Sequence, residues 1–313
     1  MIILKKVLVK APARVDFAGG WTDNGVYPFE KPAAVLNAGI NCLGIKISIK
    51  TAQKFQTNQD SELLRVCLKF LKLENPAIKI EIKNSIPRGS GLGGSGLLIY
   101  GILAGILSYY DKPIDKIQLM NSVIEVEKML GSCGGWNDTS ALINPGITFT
   151  QTSPDKPGQY KMQNMLNPEL SNLCLLINTG VSRSSVDFNI IKKGYERGDK
   201  ETIKALRYAR RVALGCWDLI LRRDYVRCAE LMAKAWHKIC QLEPAMHIKE
   251  VGEIENIIGQ DLAGGKLCGA GGGGFYLAIL KDAENCEKVI GRLERKFQVY
   301  KSRFNRCLQI KKS

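Results

Sequence analysis

Histidine is scarce in this chain of 313 residues, which contains only His237 and His247. The ten cysteines are scattered, and no Cys-x-x-Cys pair occurs. Zinc sites and small disulfide scaffolds depend on such paired spacings, so both classes are excluded. We instead predict reduced and mostly buried cysteines in a reducing compartment.

Long hydrophobic runs are also missing. No segment approaches the roughly 20 apolar residues that a membrane-spanning helix needs. The N-terminal stretch MIILKKVLVKAPARV is interrupted by Lys5 and Lys6, which favours a first strand over a signal peptide. We therefore predict a cytoplasmic protein with no membrane partner.

Acidic residues are outnumbered, with 30 Asp and Glu against 45 Lys and Arg, for a formal net charge of +15. A basic balance is compatible with nucleic acid, an anionic membrane, an anionic small substrate, or a solvated basic surface. The basic stretch around Arg207, Arg210 and Arg222 carries no helix-turn-helix, RNP or finger signature. We therefore predict no nucleic-acid partner and interpret these charges as solvated helix faces.

The order of apolar patterns predicts an α+β protein with helices on one face of a mostly antiparallel sheet. Period-two alternation predicts strands at 45–51 and 77–82, and helical spacing predicts a helix at 117–130. A loop is expected at 152–163 and a buried strand at 173–178. A final unit is predicted to contain a helix at 248–258, two strands around a glycine turn at 265–280, a helix at 282–295 and a strand at 297–303. We place the boundary between two domains at 182, which gives domains 1–182 and 183–313.

A glycine-rich segment lies between the strand at 77–82 and a long apolar helix. Glycines let backbone N–H groups converge, and a helix N-terminus adds positive partial charge, so the segment suits a di- or triphosphate. The Walker A ending is absent, and a tight strand–helix turn explains the segment equally well when it is taken alone. The proposed phosphate-loop residues are Pro87, Gly89, Ser90, Gly91, Leu92, Gly93, Gly94, Ser95 and Gly96.

A second glycine-rich loop spans 266–275 and contains four consecutive glycines, 271–274. Such a run costs much backbone entropy on folding, which indicates that something approaches the backbone closely there. A ligand phosphate and a tight contact between lobes both satisfy this requirement. A hairpin that is merely flexible fits less well.

Three carboxylates are candidates for chemistry. Glu127 lies on the helix at 117–130, and Asp138 follows in the segment Gly-Gly-Trp-Asn-Asp. A phosphotransferase needs an oxygen ligand for Mg²⁺ and often a carboxylate that takes a hydroxyl proton. Asp23 follows two glycines and Trp21, a combination that suits a sugar. A solvated helix charge at Glu127 and turn residues at Asp23 and Asp138 are the structural alternatives.

Three segments in order, 12–23, 87–96 and 265–275, resemble the three motifs of the GHMP small-molecule kinases. That family includes galactokinase, homoserine kinase, mevalonate kinase and phosphomevalonate kinase. The resemblance extends from Lys10 to about Ala278, which is nearly the whole chain. It implies a two-lobed fold with an N-terminal ATP-binding lobe and a C-terminal ferredoxin-like lobe.

Within the family, the chain is most similar to the kinase domain of L-fucokinase. Segments 19–23 and 134–138, together with Asn37 and Trp236, carry this similarity. The related heptose-phosphate kinases usually have a third glycine where Trp21 stands. Galactokinases have Glu-His in place of Gly20-Trp21, which makes galactose a poor match.

The resemblance implies specific roles. Asp138 matches the catalytic base, Arg14 a basic residue that steadies the base and the transferring phosphoryl group, and Asp23 a sugar-binding aspartate. Ser95 and Glu127 match the residues that hold Mg²⁺, which accompanies ATP. The other residues matched to the substrate site are Gly20, Trp21, Gly135, Trp136, Gly269, Gly271 and Gly272.

The sequence departs from the family pattern at three places. Gly94 stands where Ser or Thr is usual, Thr139 follows the base where fucokinases have Gln, and 24–26 replaces Thr-Pro-Pro. The last two departures border the sugar pocket. We therefore expect an ATP-dependent kinase acting on the anomeric hydroxyl of a monosaccharide, first L-fucose and then a heptose 7-phosphate. A non-catalytic sugar-binding regulator is the less favoured alternative, and a homodimer is left open.

Overall fold

The structure is a computed structural model that describes residues 5–59, 61–132, 134–182 and 189–313. The strands are β1 (Lys6–Ala18), β2 (Ala33–Thr51), β3 (Gln56–Thr57), β4 (Ile78–Asn84), β5 (Ile147–Thr152), β6 (Lys161–Met165), β7 (Cys174–Asn178), β8 (Leu262–Leu267), β9 (Phe275–Leu280), β10 (Gln298–Lys301) and β11 (Gln309–Lys312). The helices are α1 (Tyr27–Glu30), α2 (Glu62–Phe70), α3 (Gly94–Tyr109), α4 (Lys116–Met129), α5 (Asn137–Ser140), α6 (Pro168–Leu173), α7 (Ile190–Glu196), α8 (Lys200–Leu221), α9 (Tyr225–Cys240), α10 (Lys249–Ile258) and α11 (Cys286–Leu293).

The first sheet has the order β11-β1-β2-β4-β3, and the β5–β6 pair extends from β2. Its long strands are antiparallel, and β3 pairs with β4 in parallel. Alternate side chains such as Val9, Ile47 and Ile49 are buried under α3, where Gly101 and Gly105 allow the helix to approach the sheet closely. This packing explains why the sequence of α3 is apolar on nearly every side.

The second sheet has the antiparallel order β10-β7-β9-β8. Helices α7 to α10 lie between β7 and β8 along the chain, and α11 lies between β9 and β10. This βαββαβ arrangement confirms the predicted ferredoxin-like C-terminal lobe. The stacked rings of Phe149 and Trp217, with centroids 5.5 Å apart, join α8 to the first sheet.

The chain passes between the two sheets twice. Strand β7 belongs to the second sheet although it precedes residue 182, and β11 returns to the first sheet beside β1. The division at residue 182 stays a prediction, and residue 183 lies outside the described residues. The C-terminal segment therefore packs on the lobe that contains the N-terminus.

Several predicted elements are confirmed, with longer or shifted bounds. Strand β1 runs through Pro12 with a register shift beside it, so the proline lies at a bulge within one strand. Segment 152–163 contains the tip of the β5–β6 hairpin, which is close to the predicted loop. Helix α2 and strand β11 were not anticipated, because both are short and carry many charged side chains.

Most cysteines are buried, as the composition predicts. Seven of the nine cysteines in the described ranges lie in the interior. Within the same ranges, we find no helix whose length and apolarity would let it cross a membrane.

Candidate active site

A cavity of about 490 Å³ lies where β1, the N-terminus of α3, helix α4 and the β8–β9 turn meet. Many residues that the sequence singled out line it together. They are Arg14, Gly20, Trp21, Asp23, Gly93, Gly94, Ser95, Glu127, Gly135, Asp138 and Gly269. The three motifs, which are distant in sequence, therefore converge on one site.

Arg14 and Asp138 form the central ion pair of this cavity. Arg14 Nε donates to Asp138 Oδ1 at 3.0 Å, and Arg14 Nη2 donates to the same oxygen. Burial alone disfavours the charged guanidinium, but Asp138 and Asp16 outweigh this effect and raise the pKa of Arg14 above its ordinary value. Asp138 Oδ1 is thus occupied, while 28% of the Asp138 side chain stays exposed toward the cavity.

Asp16 links Arg14 to the second glycine loop. Because it lies two residues after Arg14 on a strand, its side chain lies on the same face of the sheet. Its carboxylate accepts from Arg14 Nη1 at 3.3 Å, from the Gly269 backbone N–H at 2.7 Å, and from Lys266 Nζ. The sequence reasoning missed Asp16 and Lys266, although the spacing from Arg14 was a usable signal.

Asp23 is held by the segment that precedes Asp138. Its Oδ2 accepts from the Asn137 backbone N–H at 2.9 Å. Burial is the main cause that raises the pKa of Asp23 to about 6, and the nearby charge of Asp138 adds to it. The adjacent Trp21 has φ +75°, an uncommon conformation for a residue with a side chain, and it lines the cavity.

Glu127 presents an unsatisfied oxygen at the same site. The residue is only 6% exposed, and its Oε2 is buried without a hydrogen-bond partner. Burial, with the charges of Asp138 and Asp23, raises the pKa of Glu127 to about 8. A buried carboxylate oxygen in this state needs a proton or a cation.

Two glycines allow the backbone to pass directly over these carboxylates. A Cβ atom on Gly134 would lie 1.6 Å from Glu127 Oε2, and one on Gly135 would lie 2.0 Å from Asp23 Oδ2. No side chain fits at either position without displacing a carboxylate. Glycine is therefore required at 134 and 135 because the backbone lies against these carboxylates. The sequence alone is equally compatible with glycines that merely form a turn.

The first glycine loop leads directly into a helix N-terminus. Helix α3 begins at Gly94, after Gly93 with φ +79°, and Gly93, Gly94 and Ser95 face the cavity. The helix has 16 residues, so its N-terminal N–H groups and dipole provide the positive partial charge that a phosphate prefers. This geometry agrees with the expected phosphate cradle.

The two glycine loops contact each other through their backbones. The Phe275 N–H donates to the Ser90 carbonyl at 2.9 Å, and a Cβ on Gly91 would lie 2.1 Å from the Cys268 carbonyl oxygen. Gly91 also accepts a hydrogen bond from Arg14. Close contact between the lobes is therefore one reason for the glycines in both loops.

Some of the residues matched to the site lie outside the walls of this cavity. Gly271 is packed against the Trp236 ring, the Gly272 N–H donates to the Met246 carbonyl at 2.8 Å, and Trp136 packs edge-on against Tyr160 at 5.5 Å. The others outside it are Pro87, Gly89, Ser90, Gly91, Leu92 and Gly96. Their predicted roles in binding stay predictions.

Asn37 is a further residue that orders the site. Its Nδ2 donates to the Asn137 carbonyl at 2.6 Å and to Ser140 Oγ at 2.7 Å. Because Asn137 precedes the proposed base, Asn37 fixes the start of α5 and thus the direction of Asp138. The sequence marked Asn37 only through its family resemblance.

The donor set fits Mg²⁺ rather than a metal held entirely by protein. Within the described ranges, no cluster of three or more His, Cys, Asp and Glu side chains is placed to hold a metal. Magnesium in phosphotransferases uses one or two protein oxygens together with phosphate and water. The orphaned Glu127 Oε2 and the Ser95 hydroxyl, both at this cavity, supply oxygens of that kind.

Comparison with known proteins gives matches along the whole chain. Residues 61–146 match the model of the N-terminal domain of GHMP kinases, and residues 218–299 match the model of their C-terminal region. The chain is 27% identical to a bifunctional fucokinase/GDP-fucose pyrophosphorylase of Arabidopsis thaliana. The match covers 93% of the present chain and 31% of the Arabidopsis protein. The chain therefore spans about a third of this relative.

Two further proteins resemble the chain over nearly their full length. It is 24% identical to a D-glycero-alpha-D-manno-heptose 7-phosphate kinase of Campylobacter jejuni, covering 87% of this chain and 88% of that protein. The Lactococcus lactis galactokinase structure, solved with galactose, superposes with a TM-score of 0.77 at 14% identity, covering 98% and 95% of the two chains. The last match concerns the fold alone.

The two domain models, the order of the three glycine-bearing motifs and the two-sheet architecture agree with one another. The chain belongs to the GHMP kinase family.

Proposed function

We propose that this protein phosphorylates the anomeric hydroxyl of a neutral monosaccharide with ATP, and that L-fucose is its substrate. The observation that carries the proposal is the charge of the cavity wall. Asp16, Asp23, Glu127 and Asp138 all line it, whereas Arg14 is the one basic side chain among its described lining residues. Even with Glu127 protonated, the three aspartates outnumber Arg14, and an acidic wall of this kind disfavours a second phosphate on the sugar.

Asp138 is the proposed general base. Arg14 occupies Oδ1 through two donors, so Oδ2 is left to accept a proton. A sugar hydroxyl placed within hydrogen-bond distance of Oδ2 gives up its proton there, and its oxygen attacks the γ-phosphorus as ADP leaves. The Asp138 side chain faces both the cavity and the start of α3, where the phosphate loop lies.

Arg14 is proposed to position this base and to offset charge. Its guanidinium is fixed on three sides by Asp138, Asp16 and the Gly91 carbonyl before any substrate binds. An arginine held in advance loses little conformational freedom during the reaction, so it stabilises the developing charge effectively. The same contacts join the first motif, 12–23, to the phosphate loop at 87–96.

ATP and Mg²⁺ are proposed to bind at Gly93, Gly94, Ser95 and Glu127. Ser95 and Glu127 would hold Mg²⁺ together with the phosphates, and the ion would supply positive charge that offsets theirs. Gly94 has no side-chain hydroxyl, whereas the family usually has Ser or Thr at this position. The backbone N–H groups at the start of α3 therefore contribute a larger share of the phosphate contacts. Glu127 must lose its proton to act as a ligand, because burial raises the pKa of its carboxyl.

The sugar is proposed to lie between Asp23 and Trp21. The Asp23 carboxylate accepts hydrogen bonds from sugar hydroxyls, and the Trp21 ring covers an apolar face such as that around the methyl group of a 6-deoxy sugar. The similarity to the bifunctional fucokinase, which extends over 93% of the chain, supports this choice. The heptose 7-phosphate relative, which matches along both chains, makes that sugar the second candidate.

ADP release across a sugar panel tests the proposal. The panel contains L-fucose, D-galactose, D-glycero-D-manno-heptose 7-phosphate and a no-sugar control, with ³¹P NMR to locate the new phosphate. We expect L-fucose to release ADP with the highest kcat/KM and to carry the phosphate on C1. A higher kcat/KM for the heptose phosphate refutes the neutral-sugar proposal, and no release with any sugar supports the non-catalytic regulator instead.

A further inference from the structure

The outward face of the first sheet carries a ladder of lysines. In β1, β2 and β4 the inward side chains are apolar, whereas Lys10, Lys46 and Lys83 point to the other face and are exposed. Lys10 pairs in register with Lys46, and Lys46 pairs in register with Lys83. Three like charges therefore lie in one row across three neighbouring strands, spanning roughly 10 Å at the usual strand spacing.

A second row on the same face shows how such charges are normally balanced. Lys6, Lys50 and Lys79 are also register partners, and the Glu81 carboxylate lies 3.3 Å from Lys50 Nζ and 2.8 Å from Lys79 Nζ. Within the described part of the chain, no carboxylate pairs with Lys10, Lys46 or Lys83. Like charges placed directly opposite each other destabilise a sheet, so this first row is unfavourable without a bound anion.

A cavity of about 400 Å³ adjoins the unbalanced row. Strand β2 leaves its pairing with β1 between Gly39 and Gly44, and the C-terminal segment around Arg306 passes beside this bulge. Lys10, Lys46 and Arg306 line the cavity together with the hydrogen-bonding side chains of Asn41 and Ser85. No Asp or Glu belongs to the described lining, and no lining residue is shared with the catalytic cavity.

We propose that this cavity and the lysine row bind a compact, soluble molecule that carries two or more phosphates. Strongly charged phosphates satisfy Lys10, Lys46 and Arg306 together, and the bounded volume accommodates a small molecule rather than a polymer. In the neighbouring row of Lys6, Lys50 and Lys79, Glu81 contacts two of the three lysines, whereas the row beside the cavity has no carboxylate partner in the described part of the chain. This site is separate from ATP binding at α3.

Lysine footprinting with inorganic tripolyphosphate tests the proposal at the level of single residues. The full chain is acetylated briefly with and without the anion. We expect Lys10 and Lys46 to be protected, while Lys79 and the distant exposed Lys161 react as before. Equal protection of all four lysines means diffuse screening and overturns the proposal.

Variants make the test quantitative. The double substitution Lys10→Gln and Lys46→Gln is expected to weaken tripolyphosphate binding about tenfold or more, because charge-assisted hydrogen bonds are lost. The pair Lys10→Arg and Lys46→Arg should retain binding. The pair Lys161→Gln and Lys288→Gln removes the same net charge from exposed positions elsewhere and should change little.

Titration calorimetry at physiological salt reads out the affinities of all these variants. Equal affinity in the Lys10/Lys46 double Gln variant and the wild type refutes the site. Tighter binding of duplex DNA or of anionic lipid vesicles than of tripolyphosphate also refutes it, because the face would then serve a macromolecular surface.

Discussion

Arg14 donates from both Nε and Nη2 to a single oxygen of Asp138, 124 residues further along the chain. The pair is therefore asymmetric, with Oδ1 satisfied and Oδ2 directed to the proposed reaction. The same guanidinium reaches Asp16 and the Gly91 carbonyl. One buried side chain thus joins the base, the phosphate loop and, through Asp16, the second glycine loop.

Replacing Arg14→Lys tests this joining role. A lysine keeps the charge but has no planar set of donors, so it cannot hold Asp138 and Gly91 at once. We expect kcat to fall by about 10²-fold or more, with a smaller change in the KM for ATP. Steady-state kinetics and thermal unfolding measured together distinguish misplacement of the base from unfolding, and unchanged kcat in a folded variant contradicts the role.

Asp23→Asn tests sugar binding. The amide oxygen can still accept from the Asn137 N–H, so the fold should persist, but the charged acceptor for sugar hydroxyls is lost. We expect the KM for sugar to rise roughly 10- to 100-fold, with the KM for ATP nearly unchanged. In the wild type, sugar binding should weaken below pH 6, because the pKa of Asp23 is about 6. A variant with the same sugar KM and the same pH profile as the wild type rules out this role.

Glu127→Gln tests the buried carboxylate through stability in metal-free buffer. The pKa of Glu127 is raised from 4.5 to about 8, so between these values the native state binds more protons than the unfolded state. The free energy of unfolding should therefore fall as the pH rises from 5 to 8, by up to about 1.4 kcal/mol for each unit of pKa shift. The Gln variant should show a flatter profile and a weaker dependence of activity on Mg²⁺.

Glu125→Gln is the matched control for this experiment. Glu125 lies on the same helix, and its side chain is 58% exposed in an ion pair with Lys128. Exposed pairs of this kind contribute little to stability. The Glu125 variant should keep the wild-type pH profile, and a Glu127 variant that also keeps it disproves the account of the buried carboxylate.

Gly134→Ala tests the close approach over Glu127. The added Cβ would lie 1.6 Å from Glu127 Oε2, so the carboxylate or the segment before Asp138 must move. A shift of this size should lower kcat/KM by about 10²-fold. Gly252→Ala in α10 is the control, since no atom lies within 4 Å of the new Cβ and alanine favours helix. Equal activity of both variants means that the site does not need Gly134.

The sequence was most informative where chemistry depends on order and spacing. The resemblance carried by the three glycine-bearing motifs implied the family and the ferredoxin-like lobe, and it also assigned Arg14, Asp23 and Asp138 to one site, where the structure brings them together. Asp16 and Lys266 were missed because their contacts join strands of different sheets. The lysine row was missed for a different reason: its strands are neighbours in one sheet, but their register depends on pairing between residues far apart in sequence.

The glycine run 271–274 shows a second limit. Its composition predicted close backbone approach, and the structure places Gly271 against Trp236 and Gly274 against the Ser90 backbone. Composition indicates that something is near, but only the packing of the two lobes identifies the neighbour. The contacts found there are between protein segments, whereas the proposed phosphate site lies at the start of α3.

The central claim is that Asp138 removes the proton from the anomeric hydroxyl of the sugar. The most direct test is the kcat of Asp138→Asn with L-fucose and ATP, measured alongside the Kd for L-fucose by titration calorimetry. We predict a fall in kcat of roughly 10²- to 10⁴-fold with a nearly unchanged Kd. A variant that keeps wild-type kcat while binding L-fucose normally would contradict the assignment of Asp138 as the base.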